Sequence, residues 1–197
     1  MKILFASHNN HKYQEIKMML SPLVDVISLQ SLGDTDDVEE TGNSFEENSF
    51  IKAKYYYDKY HMSVFSDDSG LCVEALNNRP GIFSARFAGI HASDRDNCNL
   101  LLQELSGVAS RNAFFICCIC FINESGQVHY FQGKLTGKIA NEYTKGNGFG
   151  YDPIFVISDG KRLSELTTEE KNKISHRRLA IEEFKTFLKE GEKNGRK

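Results

Sequence analysis

The chain has 197 residues, of which 40% are hydrophobic and 26% charged, with only 3 prolines. That is long enough for one good core, and no Pro/Ser-rich linker, low-complexity tract or fixed-period repeat divides it, so one domain over residues 1–197 is expected. A net charge of −3 and a pI of about 6.1 exclude the broad basic footprint of a protein that holds polymeric nucleic acid, but leave room for a local basic pocket around a small anion.

"KILFAS" reads as a first strand, too short and too quickly polar for a signal peptide. "NNHKYQEIKMML" after it is amphipathic, with Ile16, Met19 and Leu20 on one face, and "VDVISL" is a second strand. Strand, helix, strand opens an α/β layer. An acidic loop, "TDDVEETGN", leads to a helix over "SFEENSFIKAKYYYDKYH". That helix begins with a capping box, Ser44 to Glu47, and its expected buried stripe is Phe50, Ala53, Tyr57 and Tyr60. "VFSDDSGLCVEAL" reads as strand, turn, strand, followed by an irregular "NNRPGIFSARFAG". A further helix, "SDRDNCNLLLQEL", is capped by Ser93 with Asp96 behind it and stops at Gly107.

"NAFFICCICFINESGQVHYFQGKLTGKI" is a long hairpin turning at "NESG", and its first strand, apolar on both faces, belongs in the middle of a sheet. The apolar run 113–122 within it is too short to cross a bilayer. Cys117, Cys118 and Cys120 lie in that run without CxxC spacing and read as small apolar strand residues. Five cysteines, an odd number, fit a reduced compartment, so a cytoplasmic protein with no membrane partner is expected. "TKGNGFGYDPIFV" is a glycine-rich loop entering a strand, and "TTEE" (Thr167 to Glu170) caps a helical stretch running on through "SHRRLAIEEFKTFL" to a frayed "KEGEKNGRK". Hairpins among helices imply a mixed sheet.

Four stretches could carry chemistry. "SHNNHK" closes a strand and opens a helix, so free N–H groups, the positive dipole end and Lys12 could cradle a phosphate; equally, Asn10 could simply cap the helix. Asp67 and Asp68 point to opposite faces of a strand and need a cation or donors if buried, whereas a turn before Gly70 explains them on its own. With Glu39 and Glu40 of the acidic loop they offer the one or two carboxylates that Mg²⁺ takes beside substrate phosphates, and a solvated loop is the bland alternative. In "GNGFGYDP" alternate glycines permit close approach, and Phe149 offers a flat face for a base, where a hairpin connection alone would need no aromatics. "EEKNKISHRR" adds Lys171, His176, Arg177 and Arg178 just before apolar helix resumes.

Taken together, "SHNNHK", "EETGNSFEENSFIKAK", "DDSGLCVEALNNRPGIFSARFAG", "GNGFGYDPIF" and "EEKNKISHR" make the chain resemble the inosine/xanthosine triphosphate pyrophosphatase family. Members hydrolyse non-standard purine nucleoside triphosphates. The order and spacing match from residue 3 to about 180, with one departure: Ser7-His8-Asn9 stands where the family usually has Thr-Gly-Asn. The resemblance implies an elongated mixed α/β fold with two lobes around a central active-site cleft, and a homodimer. It assigns Ser7, His8, Asn9, Asn10, His11, Lys12 and Lys52 to the triphosphate. Glu39 and Asp68 would hold Mg²⁺, with Asp68 also the general base, Asp67 in support and Ser69 touching substrate. Phe149 would stack on the base, and Gly150, Tyr151, Asp152, Lys171, Ser175, His176 and Arg177 would surround the nucleotide, with Arg86 a further contact.

On that resemblance, water attacks the α-phosphorus of ITP, dITP or XTP, giving a nucleoside monophosphate and pyrophosphate and clearing deaminated purines from the nucleotide pool. Donors from His176 and Arg177 would match the C6 carbonyl and be left unmatched against adenine. Three rivals remain: a pyrophosphatase for modified pyrimidine nucleotides, a nucleotide sensor without turnover, and a nucleic-acid binder. Parallel assays on ITP and dTTP, pyrophosphate release with and without Mg²⁺, and salt-dependent DNA affinity separate them.

Overall fold

The computed structural model describes the backbone of residues 1–194 and the side chains through Gly191. Its strands are β1 (Lys2–Phe5), β2 (Asp25–Ser28), β3 (Val64–Val73), β4 (Arg79–Pro80), β5 (Asn112–Ile122), β6 (Val128–Ile139) and β7 (Phe155–Val156). They form one mixed sheet in the order β2-β1-β3-β5-β6-β7, with β4 paired to β3. β1 is parallel to both β2 and β3, whereas β4 and β7 are antiparallel to their partners. The helices are α1 (Asn10–Leu20), α2 (Phe45–Tyr60), α3 (Asp94–Glu104), α4 (Thr168–Ile174) and α5 (His176–Asn194). Among the described residues no helix is long and apolar enough to cross a membrane.

The chain packs as two compact units, each with its own core. The first takes Met1–Asp68, Cys117–Gly133 and the chain from Arg177 onward. In it the period-2 alternation of β1 is explicit: Ile3 and Phe5 pack with Ile16, Leu20 and Phe184, while Leu4 and Ala6 pack with Leu29, Ala53 and Tyr56. Helices thus cover both faces, so β1 is apolar throughout. β5 repeats the pattern, with Cys117, Ile119 and Phe121 on one cluster and Cys120 and Ile122 on the other. All five cysteines are free and buried, and burial pushes the Cys118 thiol up to about 11, the behaviour of small apolar side chains. The second unit takes Ser69–Ile116 and Lys134–His176, around Leu71, Val73, Leu101, Phe115, Phe155 and Leu163.

Local structure departs from the sequence expectations at particular points. "VFSDDSGLCV" is one continuous strand, not two strands and a turn. The turn preference of Asp-Asp-Ser-Gly yields because donors reach both carboxylates from elsewhere in the chain. α1 is capped by Asn9, whose side chain accepts from the Lys12 N–H, not by Asn10. In α2 the buried positions are Asn48, Ser49, Ala53 and Tyr56; Phe50, Tyr57 and Tyr60 are only half-buried against the same cluster. Ser44 caps the Glu47 N–H as expected, but the Glu47 carboxylate accepts from Asn43 N. The closing helix is two helices, broken at Ser175, whose extended backbone (φ −64°, ψ 149°) ends α4. α5 remains helical through Asn194 where fraying was expected, and residues 195–197 of that expectation lie outside the described residues.

Candidate active site

β3 presents Asp67 and Asp68 at the end of the first unit's first segment, and their surroundings differ sharply. The Asp67 carboxylate is fully buried and lies 2.9 Å from Lys12 Nζ and 3.6 Å from Arg177 Nε. Arg177 continues to Glu15 at 2.7 Å, forming a chain of alternating charge whose two middle members, Asp67 and Arg177, are buried. Burial alone would raise the Asp67 carboxyl, but Lys12, Arg177 and Lys52 hold it well below the usual carboxylate range. Asp67 is therefore an ionised strut.

Asp68 is nearly as deep, at 6% exposed, and accepts a 3.2 Å hydrogen bond from Asn48 Nδ2. Burial pushes its carboxyl up to about 6; Lys52 opposes the rise and the Glu40 carboxylate adds to it. Lys52 Nζ donates to Glu40 Oε1 at 2.5 Å and to the Asp67 carbonyl at 2.8 Å. Its burial would lower the ammonium pKa, but Asp68, Asp67 and Glu40 keep it raised, so it is a fixed positive charge. Asp68 is thus a deep carboxylate whose charge is opposed by burial and by a second acid, so that added positive charge would stabilise its ionised form. Glu40 is half-buried in this cluster, and Glu39 beside it is exposed.

The acidic loop is tied down before it reaches Glu39. Asp34 Oδ1 accepts from the Asp36 N–H, and Lys59 Nζ bridges Asp34 and Asp36 at 2.6 Å each. The Asp36 carbonyl accepts from Tyr56 Oη and from His8 Nε2, both at 2.7 Å. His8 thus acts on the acidic loop, while Ser7 Oγ accepts from the Asn9 N–H within its own turn. Asn10 and His11 are exposed on the first turn of α1, which also carries the ion-paired Lys12.

The second unit builds a shaped loop. Asp152 Oδ2 accepts from the Phe149 N–H at 3.0 Å and pairs with Lys171 Nζ at 2.5 Å. Gly148 lies at φ +87°, and a Cβ there would sit 2.1 Å from Asp152 Oδ2, so both its dihedral and its close approach require glycine. The Gly150 N–H donates to Asp94, and the buried Tyr151 donates its hydroxyl to the Ser84 carbonyl at 2.8 Å. Phe149 is left 45% exposed, with the Lys171 ammonium 4.3 Å from its centroid. His176 stacks on Phe115 at 5.0 Å and 12° between planes. Ser69 is half-buried at the start of this unit, Ser175 is buried, and the Arg86 guanidinium lies over Phe83.

Lys12, Lys52, Asp67, Asp68 and Arg177 are thus brought together in the first unit, and Phe149, Gly150, Asp152 and Lys171 in the second. Three participants escaped the sequence reading. Asn48 and Glu15 carried only faint signals, a polar residue on the buried face of α2 and an acid three residues after Lys12 on α1. Asp94, on the first turn of α3, lies 56 positions from the Gly150 N–H it accepts from and carries no local signal of that role.

A mixed α/β sheet bearing a buried lysine–carboxylate cluster and a braced aromatic loop defines the class. The chain belongs to the Ham1 family, whose model matches residues 3–187. It is 45% identical over 192 residues to the dITP/XTP pyrophosphatase of Thermoanaerobacter sp. (strain X514), covering 95% of this chain and 96% of that protein. It is 43% identical to the dITP/XTP pyrophosphatase of Borrelia duttonii (strain Ly), covering 94% and 96% of the two chains. Among solved structures, the Staphylococcus aureus Ham1 protein superposes with a TM-score of 0.90 at 41% identity, covering 98% of this chain and 100% of that one. A nucleoside-triphosphatase / dITP/XTP pyrophosphatase from Mycobacterium abscessus has a TM-score of 0.79 at 41% identity, covering 93% and 98%.

Proposed function

We propose that residues 1–197 act as one Mg²⁺-dependent pyrophosphatase domain that converts dITP, XTP and ITP to the nucleoside monophosphate and pyrophosphate. Family membership and the names of the relatives support the activity. The observation that carries it is Asp68: a buried carboxyl, pushed up to about 6, beside Lys52 and Glu40. Such a group, ionised above that pH yet still basic, suits acceptance of a proton from an attacking water.

The roles then divide by chemistry. Asp68 and Glu39, with Glu40 adjacent, would hold Mg²⁺, which supplies charge neutralisation and polarisation of the phosphoryl oxygens. Asp68 takes the proton of the water that attacks the α-phosphorus. Lys52 and Lys12 face the phosphate charge, Lys12 being held ready by Asp67. Ser7 to His11 line the same turn, and Ser69 follows Asp68 in the chain. Phe149 gives the base its stacking face, braced by Gly150, Tyr151 and Asp152, and Lys171 and His176 supply donors toward a C6 carbonyl. Arg177 is committed to Asp67 and Glu15, so any contact it makes with the nucleotide is shared with those ion pairs. Five free, buried cysteines suit the reducing cytoplasm in which this nucleotide pool resides.

The test is pyrophosphate release from dITP, XTP, ITP, dATP and dTTP with Mg²⁺ and with EDTA. Turnover of the first three, abolished by EDTA, supports the reading. Preference for dTTP, or binding without turnover, replaces it with a pyrimidine enzyme or a sensor.

A further inference from the structure

Asn48 is completely buried, and both ends of its side-chain amide are committed. Oδ1 accepts from the Gly42 N–H at 2.8 Å, and Nδ2 donates to Asp68 Oδ2 at 3.2 Å. The orientation follows from chemistry: a backbone N–H can only donate, so the amide oxygen must face Gly42, and the NH₂ is then obliged to face Asp68. The approach at Gly42 is close, since a Cβ there would lie 2.6 Å from Glu47 Cβ and 2.7 Å from Asn48 Oδ1. Gly42 closes the acidic segment that carries Glu39 and Glu40. Asn48 sits on a rigid helix, anchored by the cap at Ser44.

We propose that Asn48 is a positioning residue that couples the end of the acidic loop to the Asp68 carboxylate, holding the two acidic elements in register for one reaction. A purely structural asparagine would need partners, but not these two. The loop end and Asp68 are 26 positions apart in sequence and meet through one planar group, so a shift of either is transmitted to the other. Burial of Asn48 excludes direct contact with a nucleotide, so it acts through Asp68.

The inference rests on the pyrophosphatase reading, and two readouts keep the failures of the two apart. dITP turnover with Mg²⁺ gives kcat and KM; amide hydrogen exchange of the segment containing Gly42 reports the loop end without any turnover. Asn48→Asp keeps an acceptor for Gly42 and loses the donor to Asp68. It is expected to retain wild-type Gly42 exchange, to lower kcat about 30-fold, and to leave KM within about threefold. Asn48→Ala loses both bonds, so Gly42 exchange should also quicken by about tenfold. Wild-type exchange in Asn48→Ala, or near-wild-type kcat in Asn48→Asp, overturns the coupling. If the wild-type protein leaves dITP intact, the pyrophosphatase reading fails, and the exchange measurement still decides whether Asn48 holds the loop. If Asn48→Ala does not fold, the kcat of Asn48→Asp decides.

Discussion

Asp34 and Asp68 are both buried in the first unit, at 7% and 6% exposed, and they titrate in opposite directions. At Asp34, burial is outweighed by donors from Lys59, Tyr60 and the Asp36 N–H, and the carboxyl falls to about 2. At Asp68, burial wins and the carboxyl rises to about 6, although Lys52 is near. The first is a finished structure: an acid wrapped in donors that pins the entry to the acidic loop. The second is an acid whose burial outweighs the nearby Lys52 charge, with the Glu40 carboxylate adding to the rise. Burial alone identifies neither; the balance of charges around each carboxylate does.

The largest expected effect breaks this pair apart at Asp68. Asp68→Asn should lower kcat on dITP by about 10³-fold through loss of the base. Its thermal stability at pH 8 should equal or exceed that of the wild type, because a strained charge has been removed; a lowered melting temperature with retained turnover would make Asp68 another structural acid.

Next comes the pH dependence of stability, measured by urea unfolding in EDTA. Asp68 binds its proton more tightly folded than unfolded, so its contribution to stability is lost as pH rises from 3.8 toward about 6. A shift of that size corresponds to roughly 3 kcal/mol, and the slope should vanish in Asp68→Asn. Asp34 has the opposite sign: its contribution is present above 3.8 and lost as pH falls toward about 2.

Asp34→Asn should cost about 2 kcal/mol through weakened charge-assisted hydrogen bonds, read as a melting temperature lower by about 5 °C. Its kcat should stay within about threefold, in contrast to Asp68→Asn. The smallest effect lies in the second unit. Phe149→Ala should raise KM for dITP about tenfold with little change in kcat, as removal of a stacking face implies.

How far these features were legible in sequence follows from the range of the interactions that set them. The caps at Ser93 and Thr167 and the two-faced apolar run of β5 are local signals, and all formed as expected. The mixed sheet and family followed from motif order. β3 was misread because Asp-Asp-Ser-Gly favours a turn locally, while Lys12 and Asn48, 55 and 20 residues away, supply what keeps it extended. The break at Ser175 has no glycine or proline to announce it. The Arg177–Glu15 pair joins residues 162 apart, beyond any window of periodicity. His8 bonds the Asp36 carbonyl, 28 residues away, a contact that no local pattern announces.

The central claim is that water attacks the innermost phosphorus of a non-standard purine triphosphate, assisted by Asp68. Hydrolysis of dITP in ¹⁸O-labelled water, with the products resolved by ³¹P NMR, tests it most directly. The account expects one labelled oxygen in the nucleoside monophosphate, unlabelled pyrophosphate, and almost no product from Asp68→Asn. Label in pyrophosphate, release of a nucleoside diphosphate, or undiminished turnover by Asp68→Asn would contradict it.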